Sequence, residues 1–303
     1  MRAQVIYNPT SGKEIFKSKM YKVVEALSAK GYEVELYPTK CEKDAIEAAK
    51  KAADKKISLL VVSGGDGTLH EVVNGLAEKE NRPTILYLPS GTTNDFAKSV
   101  GIPLNLDGSL SLLDKGEVTS IDIGKIEDKY FVYVACFGVF TKVSYSTPSK
   151  LKSVFGQLAY VFNGMVDLQK LNEPLDIEIN ANGEIKNLKA SIFLVANSTG
   201  VAGLKNILPS AKLDDGKFDV INLNSKNIGI LPEVIKNVTM GVKADFNKNG
   251  LLHFEAEEIA VSSKKMLKWN LDGEFGIVGD VKIKCLRQHI DIIIPKSNKI
   301  VSK

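Results

Sequence analysis

Ser58-Leu-Leu-Val-Val-Ser-Gly-Gly-Asp-Gly-Thr68 is an apolar strand that runs straight into a glycine-rich turn, and the amphipathic run Leu69 to Ala77 follows it. Gly64, Gly65 and Gly67 have no Cβ atoms, so backbone N–H groups there can approach an anion closely. Thr68 is expected to open a helix whose N-terminal dipole favours negative charge. A carboxylate inside a phosphate cradle repels its ligand unless a cation mediates, so Asp66 is read as facing Mg²⁺, or its waters, on nucleotide phosphates. The bland alternative is a glycine turn with a solvated aspartate.

The same rhythm extends through the first 120 residues. Short apolar runs (Ala3 to Tyr7, Tyr32 to Tyr37, Ile57 to Val62, Thr84 to Leu88) alternate with amphipathic ones (Ile15 to Lys30, Asp44 to Ala53, Leu69 to Ala77). That alternation predicts βαβ units and a parallel sheet, with ligands beyond the strand C-termini. Two further polar clusters, Asn8-Pro-Thr-Ser-Gly-Lys13 and Pro89-Ser-Gly-Thr-Thr-Asn-Asp95, follow the first and fourth strands and should project from the same edge. Neither has the GxxxxGK[ST] spacing of a P-loop, and each alone could be a loop with a helix cap. Three such loops on one sheet edge predict a polyphosphate site.

After Asp122 the pattern becomes alternating and β-branched: Tyr130 to Ala135, Leu175 to Ile179, Leu188 to Ala196, Phe218 to Leu223, His253 to Val261, Met266 to Leu271 and Val281 to Cys285. Asn182-Gly183, Asp215-Gly216 and Asp272-Gly273 are read as hairpin turns, which predicts a mainly antiparallel β domain. Helical segments are expected at Ser149 to Gln169 and roughly Ile228 to Val238, and Ile290 to Ile294 as a buried strand returning to the first domain. The fold class is therefore α/β: an N-terminal α/β domain over 1–122 with a return at about 288–303, and a β-rich domain over 123–287, with an active site in the cleft between them.

The chain has 303 residues, and its composition excludes several classes. No apolar run approaches the roughly 18 residues of a membrane span. The segment Met1 to Tyr7 turns polar at Asn8 before a signal-peptide core forms, and Cys41, Cys136 and Cys285 make no disulfide framework, so the expectation is a cytoplasmic protein. Forty basic against thirty-six acidic residues argue against a nucleic-acid partner. Residues 123–303 carry the excess, a net +5 against −1 before them, which is either an uneven surface or a face for an anionic membrane. In Ser149 to Gln169, Leu151, Val154, Phe155, Leu158, Phe162 and Met165 fall near helical spacing beside Lys150 and Lys152. Such a stripe is either core packing or a lipid entrance.

These segments resemble the soluble diacylglycerol kinase catalytic-domain family of lipid kinases, which includes bacterial diacylglycerol kinases and the related sphingosine and ceramide kinases. Gly64 to Thr68 is similar to its nucleotide signature, Asn8 to Lys13 to its first phosphate loop, and Ser90 to Phe96 to its third. Tyr145 to Ser153 and Ala211 to Lys217 are closer still to the soluble enzymes of Gram-positive bacteria. The resemblance implies ATP contacts at Asn8, Pro9, Thr10, Ser11, Gly12, Thr39, Gly64, Gly65, Asp66, Gly67, Thr68, Leu69, His70 and Thr92, with Thr39 on the adenine side. As metal ligands the three histidines are excluded by their spacing, and together with Trp269 they are read as structural.

Asp272-Gly-Glu274 by itself is a hairpin turn beside an exposed glutamate; the resemblance makes Glu274 the general base, with Asp66 as its catalytic partner across the cleft. It also implies a structural Mg²⁺ on Lys212, Asp215 and Lys217. The two lysines could ligate only through backbone carbonyl oxygen, and Lys217 stands where a family member can carry an aromatic residue. Asp95 and Asp122 would join Asp66 in a network of carboxylates and water toward that ion. The implied activity is ATP-dependent phosphorylation of diacylglycerol to phosphatidic acid, with peripheral membrane association and a homodimer as the oligomeric expectation. The alternatives are another lipid alcohol, a soluble-substrate kinase of NAD-kinase type, and a non-catalytic sensor that kept the fold.

Overall fold

The computed structural model describes residues 1–9, 18–138, 174–198, 211–224 and 252–296. The expected helices at Ser149 to Gln169 and Ile228 to Val238, and the loop residues Thr10 to Lys13, lie outside the described residues. The chain divides into two units, Met1–Ile121 with His289–Lys303, and Asp122–Gln288.

In the first unit the order is β1 (Arg2–Tyr7), α1 (Met20–Ala29), β2 (Glu33–Pro38), α2 (Asp44–Asp54), β3 (Leu59–Gly64), α3 (Asp66–Leu76) and β4 (Thr84–Pro89). Short helices α4 (Asp95–Val100), α5 (Leu106–Leu110) and α6 (Leu112–Lys115) then lead into β5 (Gly116–Ile126). The four strands are parallel in the order β2-β1-β3-β4. Every residue of β3 is buried, as expected for a strand covered by helices on both faces, whereas β2 at the margin alternates with solvent. The registers Tyr7↔Pro38, Tyr7↔Ser63 and Gly64↔Pro89 bring all four C-terminal ends level, so the three polar loops do leave one edge.

Helix α3 begins at Asp66, two residues earlier than the sequence pattern indicates, with Gly65 as its N-cap in an extended conformation. Asp66 is therefore the first residue of the helix and not part of a longer glycine loop. Helix α2 turns Ala45, Ala48, Ala49, Ala52 and Ala53 inward, small side chains that admit a close neighbour. That neighbour is α3, where a Cβ on Gly75 would collide with the carbonyl oxygen of Ile46.

The second unit continues with β6 (Lys129–Phe131), β7 (Val134–Gly138), β8 (Leu175–Ala181), β9 (Glu184–Ala190), β10 (Ile192–Ala196) and β11 (Phe218–Leu223). It is completed by β12 (Leu252–Ala256), β13 (Glu258–Ser262), β14 (Lys268–Leu271), β15 (Glu274–Val278) and β16 (Val281–Pro295). One antiparallel sheet runs β12-β11-β10-β7-β14-β15; β16, β13, β8 and β9 pair antiparallel in another. Phe131, Phe137, Phe193, Phe218, Trp269 and Ile259 share its buried core. Phe137 meets Trp269 edge-on at 4.8 Å between ring centroids and stacks on Phe193 at 5.3 Å.

Several sequence readings are corrected here. Leu188 to Ala196 is two strands broken at Ser191, and His253 to Val261 is two strands broken at Glu257; at each break the chain leaves one sheet for the other. Val281 to Cys285 and Ile290 to Ile294 are instead one fifteen-residue strand, β16. Its far end pairs parallel with β4 through Ile292↔Ile85. Asn182-Gly183 and Asp272-Gly273 are two-residue hairpin turns with positive φ at both positions, the type I′ signature. Asp215-Gly216 is not a hairpin: it lies in the connection into β11, and its Gly216 N–H goes to the Asp122 carboxylate at 2.6 Å.

Alanine is a better helix former than glycine by about 1 kcal/mol, yet filling a close-packed contact costs about 1–3 kcal/mol. Gly75→Ala should therefore lower the denaturation midpoint without changing the m-value. A raised midpoint would show that the two helices have room to spare.

Candidate functional site

The level strand ends of the first unit enclose a cleft of about 580 Å³. Asn8, Pro9, Thr39, Gly65, Gly67, Thr68 and Thr92 line it, all expected from sequence. Gly91, in the third polar loop, lines it too, as do Lys40, Cys41, Glu42, Ala45 and Glu71, which were not read as site residues. At one end Gly65 and Gly91 meet backbone to backbone, since a Cβ on Gly91 would overlap the Gly65 Cα. The N-terminus of α3 opens there, and the Thr68 side chain fills the space beside Gly64. The positive end of a helix, beside glycines that leave the backbone bare, suits an anion.

Acidic side chains hold this rim in shape through backbone N–H groups. Asp66 Oδ2 accepts from Asp95 N at 2.9 Å and Oδ1 from Phe96 N at 3.2 Å, which fastens the start of α4 to the start of α3. Asn94, in the left-handed region, accepts from Gly91 N at 3.0 Å and returns a bond to Gly91 O at 2.8 Å. Below them the Tyr87 hydroxyl donates to Gly64 O at 3.3 Å; burial, with Asp66 and Asp95 nearby, pushes this phenol well above its usual range.

At the other end of the cleft Thr39 follows β2, its N–H bonded to Tyr7 O at 2.9 Å. The next turn is held from α3: Glu71 accepts from Lys43 N at 2.9 Å and from Ala45 N at 3.2 Å. Glu71 was legible only as a polar position of an amphipathic helix. Leu69 is buried, with its N–H on Gly65 O, and the His70 ring meets Asn74, so neither side chain lines the cleft.

The remaining expected residues belong to the second unit. Glu274 is exposed and opens β15, paired with Leu271 across the Asp272-Gly273 turn. Asp272 beside it is a further residue whose part sequence reading missed. Its carboxylate is buried and accepts from Val132 N at 2.7 Å, Tyr133 N at 2.9 Å and Val134 N at 3.1 Å. A hairpin aspartate that packs inward has no local sequence signal, because Asp-Gly is already explained by the turn.

In the Lys212 to Lys217 loop both lysines are exposed, and Asp215 Oδ1 accepts from Lys217 N at 3.2 Å. Asp122 lies beneath, bonded to Gly216 N and to Gln288 N, each at 2.6 Å. Burial raises its pKa against the pull of those two bonds. Among the described residues no three His, Cys, Asp or Glu side chains converge as a metal site. The histidines make structural bonds: His253 to Asp219 at 2.7 Å and His289 to Ala77 O at 2.6 Å.

Of the three cysteines only Cys41 is exposed, and it lines the cleft. Burial lifts the Cys136 thiol well above its usual range and Cys285 to about 12. Ellman's reagent should therefore react quickly with one thiol in the native protein and with three after denaturation, and saturating ATP should slow the native reaction. Equal rates with and without ATP would place the nucleotide elsewhere. Gly91→Ala should weaken ATP binding at least about tenfold by calorimetry, because the added methyl forces the two loops apart; unchanged affinity would remove the loops from the site.

Two family models match the chain: the diacylglycerol kinase catalytic domain over residues 2–126, and the YegS C-terminal NAD kinase beta sandwich-like domain over 134–294. The diacylglycerol kinase of Bacillus subtilis is 39% identical over 97% of this chain and 97% of its own. That of Staphylococcus saprophyticus is 37% identical over 98% and 97%. The crystal structure of a diacylglycerol kinase from Bacillus anthracis superposes with a TM-score of 0.79 at 25% identity, covering 97% of each chain. The two family models divide the chain near residue 130, the relatives match it over almost its whole length, and the chain belongs to the diacylglycerol kinase family.

Proposed function

We propose that the protein transfers the γ-phosphoryl group of ATP to the free hydroxyl of diacylglycerol, giving phosphatidic acid and ADP. The observation that carries the reading is the cradle at Gly65, Gly91 and the start of α3, where bare backbone and a helix N-terminus suit a polyphosphate. The adenosine end lies toward Thr39 to Ala45, and the triphosphate end toward Gly65, Gly67, Thr68 and Thr92. The lipid acceptor is the one that names the full-length relatives.

Glu274 is the general base. As the acceptor oxygen attacks the γ-phosphorus, its proton passes to the Glu274 carboxylate; the bond from the γ-phosphorus to the β–γ bridging oxygen breaks and ADP leaves. Asp66 and the helix start position the phosphates. Mg²⁺ would neutralise charge on the transferring group when bound. The donors at hand suit that ion in kind: Asp66 beside the phosphates, and the Asp215 carboxylate with carbonyl oxygens of Lys212 and Lys217 in the second loop, are oxygen ligands throughout. The enzyme would meet its acceptor at a membrane surface, and no helix among the described residues is long and apolar enough to cross one.

A second reading, phosphorylation of a soluble acceptor, is favoured by the NAD kinase-like description of the C-terminal unit. Labelled ATP with diacylglycerol, sphingosine or NAD, each with and without lipid vesicles, separates the two. Vesicle-dependent labelling of diacylglycerol is expected; labelling of NAD alone would replace the lipid reading, and no labelling of any acceptor would end the kinase assignment. Glu274→Gln should lose about 10²-fold or more in kcat while binding ATP normally. A variant with wild-type kcat would remove Glu274 from the mechanism.

A further inference from the structure

We infer that Asp272 is a positioning residue for Glu274, an inference that rests on the reading of Glu274 as the base. The turn does not itself call for a carboxylate. Asn-Gly serves a type I′ hairpin equally, and the same chain uses it at Asn182-Gly183 with the same backbone signs. There the exposed Asn182 oxygen takes Glu257 N at 3.1 Å and Glu258 N at 3.4 Å, whereas Asp272 turns inward, is 3% exposed, and gathers the three successive N–H groups of Val132, Tyr133 and Val134 with two oxygens. Three converging backbone donors form an anion-binding nest, and the anion that occupies it is the protein's own.

The rest of the residue is fixed to the same bend. Asp272 N donates to Val134 O at 2.9 Å, and the Tyr133 hydroxyl donates to Asp272 O at 3.1 Å. The second turn residue is held as well, with Gly273 N on Asn270 Oδ1 at 2.9 Å. The bend has its own anchor in Asn197, 1% exposed, whose N–H reaches Tyr133 O at 2.9 Å. The Asn197 amide donates to Val132 O at 3.1 Å and to Asp122 O at 2.7 Å. One residue beyond this clamp the chain presents Glu274, exposed, on a strand at the margin of its sheet among the described residues. A marginal strand has a pairing partner on one side only, so the tip that carries the base would fray without the clamp. The clamp holds the backbone of Glu274 still and leaves its carboxylate free to take a proton.

The consequence is a specific kinetic signature. In Asp272→Asn the turn chemistry survives, but one amide oxygen and one NH₂ group replace two acceptor oxygens facing three donors. With diacylglycerol in phosphatidylglycerol vesicles, kcat should fall about 10- to 10²-fold with KM for ATP within about twofold. Because Asp272 acts through Glu274, the double variant D272N/E274Q should be no slower than E274Q alone. Wild-type kcat in D272N, or a double variant slowed again by the D272N factor, would overturn the inference. If D272N does not fold, Tyr133→Phe removes only the hydroxyl on Asp272 O; it should lower kcat about 3- to 10-fold with the same non-additivity, and an unchanged kcat would overturn it equally. A slow E274Q beside a wild-type D272N would sink this inference and leave the base reading standing, whereas a wild-type E274Q would sink the base reading itself.

Discussion

Four parallel strands that end level impose the geometry on which the first unit depends. The pairings of Tyr7 with Pro38 and Ser63, and of Gly64 with Pro89, leave no freedom in where the following loops begin. After β3 and after β4 the chain has to turn within a few residues, and these two strands are adjacent, so Gly65 and Gly91 are pressed together. Side chains there would fill the space that an anion needs. The alanine face of α2 and Gly75 of α3 extend the same economy into the helical layer, so both helices can stand with their first turns on the rim of the cleft.

A second constraint recurs in both units: a carboxylate satisfying backbone N–H groups that no strand or helix can satisfy. Asp66 does this for the start of α4, Glu71 for the turn into α2, Asp122 for Gly216 and Gln288, and Asp272 for the bend at Val132 to Val134. Hydrogen bonds to a charged group contribute about 1.5–3 kcal/mol each, and a buried N–H without a partner costs a comparable amount. Such bonds tie loops of irregular shape to the elements beside them. In a phosphoryl-transfer site, where most of the rate comes from position and electrostatics, such rigidity is the main service that a fold provides.

The sequence made part of this legible and hid the rest for identifiable reasons. The βα rhythm up to residue 122 could be read because each element has its own hydrophobic period, and the hairpins at Asn182 and Asp272 because Asn-Gly and Asp-Gly favour positive φ. The breaks at Ser191 and Glu257 were invisible, since a strand that changes sheets keeps its alternation and shows the change only in its partners. Asp215-Gly216 carried a hairpin signal and became an irregular connection, because its glycine N–H is claimed by a side chain 94 positions earlier. Among the site residues, Thr39 and the glycines stood out by motif. Glu71 and Asp272 did not, because their task is to accept bonds from backbone distant in sequence, and such a task leaves no spacing to recognise.

In the proposed reaction a nucleotide at the glycine loops would give up its γ-phosphoryl group to a hydroxyl that Glu274 would deprotonate. A crystal structure with a non-hydrolysable ATP analogue and a short-chain diacylglycerol tests it most directly. It should show the triphosphate at Gly65, Gly67 and Gly91, with the lipid hydroxyl about 3 Å from a Glu274 oxygen and in line with the γ-phosphorus. A triphosphate bound away from those glycines, or a hydroxyl beyond the reach of Glu274, would contradict it.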